Sequence, residues 1–134
     1  MQLTQWTDYS LRVLMYCAKN HPRDMPITIA EIVKQYQLSK SHVTKIVSFL
    51  SARGLLHTAR GRNGGVCLAR PATDIKIGEV VRLTENNLNI VECFDRQTNT
   101  CNIVETCTLK HLLYRASKSF FKELDQVSLA DISF

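Results

Sequence analysis

Apolar residues recur every three to four positions near the start of the chain, which is the spacing of one face of an α-helix. This pattern predicts an amphipathic helix over about residues 8–20, followed by a loop over 21–27 that contains two prolines. The residues that carry this first apolar stripe are Leu11, Leu14, Met15 and Ala18.

Two further helices are predicted, with a short turn between them at 36–38. Thr28 and Glu31 have the spacing of a capping box, so a helix begins there and runs to about Gln35. Ser39 can cap the next helix, and Gly54 suits the left-handed residue just past its end. Such a pair is a helix-turn-helix, whose second member can enter the DNA major groove. The stripe expected to be buried on that second member is Val43, Ile46, Val47 and Leu50.

Residues 55–59 and 66–69 have the composition of two short strands, and the glycine-rich segment 60–65 between them predicts a hairpin turn. A helix-turn-helix followed by a hairpin is the element order of a winged helix. The fold class is therefore expected to be mainly α with a small β-hairpin wing.

The second half is expected to hold a short helix over about 74–82, a polar connection over 86–106, and a helix of about sixteen residues from 109 onward. The last helix has one apolar edge, and pairing with its copy in a second subunit is favoured over burial against its own domain. We expect one compact domain, with DNA binding in 1–76 and the connection and dimerisation helix in 77–134. The predicted apolar edge is Leu109, Leu113, Ala116, Phe120 and Leu124.

Composition and charge agree with a soluble DNA-binding protein. No apolar run in the 134 residues approaches the ~20 needed to cross a bilayer, and the start has no secretory pattern, so a cytoplasmic location is expected. Residues 1–70 hold ten Lys and Arg against three acidic residues, a net +7, whereas 71–134 hold seven against nine, a net −2. The basic first half indicates a polyanionic partner.

The predicted DNA contacts lie on the second helix of the pair and on the hairpin tip. Short hydroxyl and cationic side chains can bond to phosphates or base edges, although an ordinary solvated helix face has a similar composition. On the helix they are Ser39, Lys40, Ser41, His42, Thr44 and Lys45, and at the tip they are Arg60, Arg62 and Asn63.

The five cysteines fall into two groups. Cys17 and Cys67 lie in apolar sequence and are expected to be core residues. Cys93, Cys101 and Cys107 lie within fifteen residues, at gaps of seven and five that are wider than usual zinc-site pairs. Such gaps let a loop wrap an iron–sulfur cluster; three unrelated cysteines or a zinc site are the alternatives. No catalytic motif is present, so an enzyme is not expected.

Taken together, these motifs resemble the bacterial iron–sulfur winged-helix repressors, in particular the nitric-oxide-sensing branch of that family. The resemblance covers nearly the whole chain. Its segments are MQLT at 1–4, TDY at 7–9, RGRNGG at 60–65, IGEVV at 77–81, VECFD at 91–95, CTLK at 107–110, ELD at 123–125 and LAD at 129–131.

The resemblance implies a homodimer that binds a palindromic promoter operator in double-stranded DNA, represses transcription and releases the operator on reaction with nitric oxide. It also implies a 4Fe-4S cluster, with a 2Fe-2S cluster as the alternative, held by Cys93, Cys101 and Cys107, with Asp8 of the partner subunit as the remaining ligand. Arg12, one turn after Asp8, could orient that carboxylate. His111 is a rival ligand, since family members with 2Fe-2S clusters use a histidine after the third cysteine, although at another spacing. An iron or iron–sulfur homeostasis regulator and a zinc-bound DNA-binding protein are the alternative functions.

Overall fold

A computed structural model describes residues 2–133 of the chain and has the predicted winged-helix order. Within this range no helix is both long and apolar enough to span a membrane. The elements are α1 (Gln5–Lys19), α2 (Ile29–Tyr36), α3 (Lys40–Ala52), β1 (Leu56–Ala59), β2 (Gly65–Leu68), α4 (Ile77–Thr84), α5 (Thr108–Gln126) and α6 (Leu129–Ile132).

Local hydrogen bonds place the ends of the helix-turn-helix where the sequence predicts them. The Thr28 hydroxyl accepts from the backbone N–H of Glu31, and the Glu31 carboxylate accepts from the N–H of Thr28, which completes the capping box of α2. Gln37 takes a left-handed conformation (φ 52°) in the turn, and Ser39 caps α3. All four residues of the predicted α3 stripe are buried, so this face of α3 packs into the core.

The wing is an antiparallel hairpin in which Leu56 pairs with Leu68 and Ala59 pairs with Gly65. A backbone bridge from Ile27 to Val66 attaches the loop before α2 to the second strand. Cys67 is exposed, so the prediction that it is a core residue is wrong. Successive side chains of a strand point to opposite faces, and in β2 the buried one is Val66.

The core is built from both halves of the chain. The α1 residues Val13, Leu14 and Cys17 are buried with the α3 stripe, as predicted for Cys17. Burial raises the pKa of the Cys17 thiol to about 12. The helix α1 begins at Gln5 rather than near residue 8, because Thr4 caps it by accepting from the N–H of Thr7. From the second half the core receives Ile75, Ile77, Val80, Val81 and Leu129.

The long helix α5 is attached along only part of its surface. Phe121 and Leu124 pack against the core, whereas Leu109, Leu112 and Phe120 are 58%, 53% and 45% exposed. The predicted apolar edge is therefore only partly covered by the chain's own domain. Leu124 packs against the chain's own core, and Leu113 is half-buried. Leu109, Ala116 and Phe120 remain exposed. An exposed apolar face of this kind is typical of an interaction surface.

Candidate metal centre and nucleic-acid interface

The N-terminal end of α3 presents a continuous polar surface. All six residues predicted there, from Ser39 to Lys45 without the buried Val43, are exposed. Ser39 accepts the N–H of His42, and the Thr44 hydroxyl donates to the carbonyl of Lys40 at 2.8 Å. The two lysines take no part in the ion pairs of residues 2–133. This end of α3 can therefore offer both hydroxyls and cations to a nucleic acid.

The tip of the wing carries a second cationic surface. Arg60, Arg62 and Asn63 are exposed, and across the described part of the chain neither arginine has a salt-bridge partner. Gly61 has φ +102°, which a residue with a side chain rarely adopts, so a glycine is required for this turn. The tip thus holds two unpaired guanidinium groups close together in sequence, a suitable arrangement for phosphate contacts.

The three predicted thiol ligands lie on the segment 86–107 that leads into α5, which we call the cysteine segment. Cys93 lies in a short 3₁₀ turn (Glu92–Phe94), Cys101 lies in the following loop, and Cys107 is the N-cap of α5. All three are free and half-buried. The Sγ of Cys107 accepts the backbone N–H of Lys110 at 3.4 Å, so the positive end of the α5 dipole faces this sulfur.

Hydrogen bonds within the segment hold the loop between the first two thiols. Asp95 accepts from the N–H of Gln97 and from the hydroxyl of Thr98, and these bonds lower the pKa of its carboxyl. Two further bonds join Thr100 to Glu92 and the N–H of Cys101 to the side chain of Asn99. Polar side chains of the loop thus help to order it, together with the edge-on contact of Phe94 with Tyr114.

A cavity of about 510 Å³ lies between this segment and α5. Cys93, Phe94 and His111 are among the residues that line it, so the structure brings the rival ligand His111 to the same cavity as the first thiol. Asp8, on α1, does not line the cavity. His111 itself is exposed.

The donor set fits an iron–sulfur cluster by its chemistry. Thiolates are the usual ligands of such clusters, and here three free thiols lie on one partly exposed segment. Within residues 2–133 of a single chain, however, no three His, Cys, Asp or Glu side chains converge closely enough to hold one metal ion. A compact single-ion site in one chain is therefore not formed by these residues as they stand.

Asp8 lies in the first turn of α1 and forms an ion pair with Arg12, as the sequence predicts. The two oxygens of Asp8 lie 2.8 Å from Nη2 and 3.1 Å from Nε, and this hydrogen-bonded pair raises the pKa of Arg12. The guanidinium lies 5.8 Å from the ring centre of Tyr9, whose ring contacts that of His42 edge-on at 5.7 Å. A chain of contacts thus runs from Asp8 to the exposed end of α3. Sequence reasoning missed the part of Tyr9, because no spacing rule relates it to His42.

Glu85 is a second residue that sequence reasoning missed. Its carboxylate accepts from the backbone N–H of Thr4 at 2.7 Å and from the Thr4 hydroxyl at 3.1 Å. Burial raises the pKa of Glu85, but hydrogen bonds from Thr7 and Thr4 outweigh that effect, and the pKa lies below its usual value. Glu85, the C-cap residue of α4, therefore joins the start of α1 to the end of α4.

Comparison with known proteins places this geometry in a family. The chain is 45% identical over 132 residues to the HTH-type transcriptional regulator NsrR of Bacillus subtilis. The aligned residues make up 98% of this chain and 90% of the relative. It is 43% identical to the regulator of the same name from Shouchella clausii, over 98% and 88% of the two chains. The solved structure of CymR, the global cysteine regulator of B. subtilis, has the same fold, with a TM-score of 0.80 at 23% identity over 99% and 96% of the two chains.

The family model for Rrf2, described as an iron-dependent transcriptional regulator, matches residues 3–133, and this range includes the helix-turn-helix, the wing, the cysteine segment and α5. The resemblance read from the sequence motifs is confirmed. The chain is therefore a member of the Rrf2 family of transcriptional regulators.

Proposed function

We propose that this regulator is a nitric-oxide-responsive repressor that binds DNA as a homodimer. Cys93, Cys101 and Cys107 would hold a 4Fe-4S cluster, with Asp8 of the partner subunit as the fourth ligand. The observation that carries the proposal is the placement of three free thiols on the segment that leads into the exposed apolar helix α5. Relatives named NsrR, similar over 98% of the chain, support it.

The DNA-binding part of the proposal assigns direct readout to α3 and backbone contacts to the wing. Ser39, His42 and Lys45 lie on the exposed end of the helix, where they can reach base edges and phosphates. Arg60 and Arg62 at the wing tip would each neutralise a phosphate. A symmetric dimer presents two such surfaces, which suits a palindromic operator with half-sites ~34–36 Å apart.

The four proposed ligands have different bonding characters. Thiolate sulfur is a soft donor that suits iron–sulfur iron, whereas carboxylate oxygen is harder, so the Asp8 position should exchange most readily. When bound, the cluster would supply iron that reacts with nitric oxide. Asp8 would come from the other subunit, so loss of its bond would remove a tie between the two subunits.

The contacts of Asp8 indicate how such a loss could reach the DNA. Arg12 pairs with the Asp8 carboxylate and lies over Tyr9, which touches His42 at the exposed end of α3. Through these contacts a change at the carboxylate would act on the helix proposed to read the operator. Loosening this helix, or the tie between subunits, would weaken binding to two correctly spaced half-sites and relieve repression.

Anaerobic purification followed by absorption spectroscopy and iron and sulfide analysis tests the cluster. The matched variants are Cys101→Ser, which removes a proposed ligand, and Cys67→Ser, which removes an exposed thiol outside the set. We expect the first to lose the cluster and the second to keep it. Gel-shift assays with promoter DNA should show release when a nitric oxide donor is added. Full DNA affinity after complete nitrosylation would refute the switch.

A second candidate is a regulator of iron or cluster homeostasis, which the family's description as iron-dependent favours. In that case cluster occupancy itself would change DNA affinity. Nitric oxide would then change DNA affinity no more than loss of the cluster does. Comparing cluster-loaded and cluster-free protein, each with and without nitric oxide, separates the two functions. Metal analysis that returned zinc rather than iron would exclude both.

A further inference from the structure

The C-terminal part of helix α5 is joined to the body of the protein at α4. There it packs against α4, and backbone bonds join Ile77 to Val127 and Leu129 to Ile75. The Lys76 ammonium also donates to the carbonyl of Gln126 at 3.3 Å. Towards its N-terminal end α5 exposes apolar side chains and lies beside the segment that carries the thiols, where the ring centres of Tyr114 and Phe94 are 6.1 Å apart. The contacts near α4 join it directly to the winged-helix body, so they contribute to its direction.

A bidentate ion pair spans this joint. Nη1 and Nη2 of Arg82 donate to the two carboxylate oxygens of Asp125 at 2.6 and 2.8 Å. The same guanidinium stacks on the ring of Phe121, 4.4 Å from its centre, so two residues of α5 contact the Arg82 side chain of α4. Two parallel bonds and a stacked face fix the orientation of a guanidinium more tightly than a single contact would.

Gly78 makes room for this pair. A Cβ at this position would overlap Oδ1 of Asp125 and would lie 2.9 Å from Nη1 of Arg82. Gly78 is the second residue of α4, and its φ lies outside the left-handed region, so the backbone conformation does not require a glycine here. The missing side chain therefore serves the close approach of the Asp125 carboxylate, rather than a turn.

The pair contributes more to orientation than to stability. Both side chains are more than 40% exposed, and exposed ion pairs are typically worth only ~0–1 kcal/mol. Asp125 is eighteen residues from Cys107, or ~27 Å along a helix that rises ~1.5 Å per residue. A tilt of ~10° at the joint would move the other end of α5 by ~5 Å on this geometry.

We propose that Gly78, Arg82 and Asp125 are positioning residues that set the angle between α5 and the winged-helix body, and thereby the half-site spacing that the dimer accepts on DNA. This inference rests on the proposed function, in which two subunits pair through α5 and bind two half-sites. A rigid angle in each subunit keeps the two α3 helices at one separation, and a loose angle lets that separation vary.

The test compares two isosteric variants of α4 ion pairs. Asp125→Asn removes the charge that pairs with Arg82 at the joint, whereas Glu79→Gln removes the charge that pairs with Arg70, which does not involve α5. Nitroxide labels are attached to unnatural amino acids that replace Lys34 on α2 and Arg115 on α5, both of which are exposed. The distribution of distances between the two labels reports the angle between α5 and the winged-helix body. Labelled subunits are mixed with excess unlabelled protein, so that one pair of labels is measured per dimer.

We expect the distance distribution to broaden in Asp125→Asn and to stay unchanged in Glu79→Gln. No broadening in Asp125→Asn would overturn the proposal.

A second measurement uses DNA that the wild-type protein selects from a random pool. The spacing between the half-sites of this DNA is then changed by one base pair. The preference for the selected spacing should fall at least threefold in Asp125→Asn only.

An unchanged spacing preference with a broadened distribution would also overturn the proposal. If the wild-type protein selects no DNA, the proposed function fails instead, and the label distances alone decide whether the joint exists. Gly78→Ala, which forces the carboxylate away, should broaden the distribution as Asp125→Asn does.

Discussion

Truncation of Leu112 should weaken the proposed homodimer without unfolding the subunit. Leu112 is 53% exposed on α5, so pairing with a second copy could bury about half of its side chain. Full burial of a leucine is worth ~1.5–3 kcal/mol, and half of it ~1 kcal/mol. A symmetric dimer contains the side chain twice, so Leu112→Ala removes ~2 kcal/mol, which is a ~30-fold rise in the dimer dissociation constant.

Sedimentation velocity over a range of protein concentrations measures that constant. Met25→Ala is the matched control, because Met25 is 70% exposed in a loop outside α5. Thermal unfolding of both variants at concentrations where they are monomeric should match the wild-type chain, since neither side chain belongs to the core. The same dissociation constant in Leu112→Ala and Met25→Ala would show that this face of α5 is not the dimer interface.

Three further outcomes are expected. Arg62→Ala should reduce the slope of log affinity against log salt by about 0.9, one phosphate contact, when DNA binding is titrated at several salt concentrations; an unchanged slope removes Arg62 from the interface. Asp8→Ala should keep a cluster but change its reaction with nitric oxide, and identical stopped-flow traces would exclude this ligand. The pKa of Glu85 is lowered in the fold, so its stabilising contribution is present above its ordinary value of 4.5 and disappears as the pH falls. Glu85→Gln should therefore flatten the loss of stability below that pH in chemical unfolding curves, and a wild-type profile would contradict the assignment.

Much of the first half could be predicted because its signals are local. Capping by Thr28 and Ser39 and the left-handed Gly54 depend on hydrogen bonds and backbone angles within a few residues, and all three are present. The buried stripe of α3 follows from helical period alone. The predicted start of α1 lies three residues too late because Trp6 is the one apolar residue between the cap Thr4 and Asp8, and a single residue shows no period.

Periodicity and capping act over a few residues, so they are sufficient to predict the winged-helix order, the helix caps and the segment that carries the three thiols. The exposure of Cys67 on β2 and the partial burial of the apolar edge of α5 depend instead on how the elements pack. The same packing decides the ties from Glu85 to Thr4 and from Arg82 to Asp125, which join residues 81 and 43 positions apart. No local pattern records such pairs, since their partners meet only after the helices have packed.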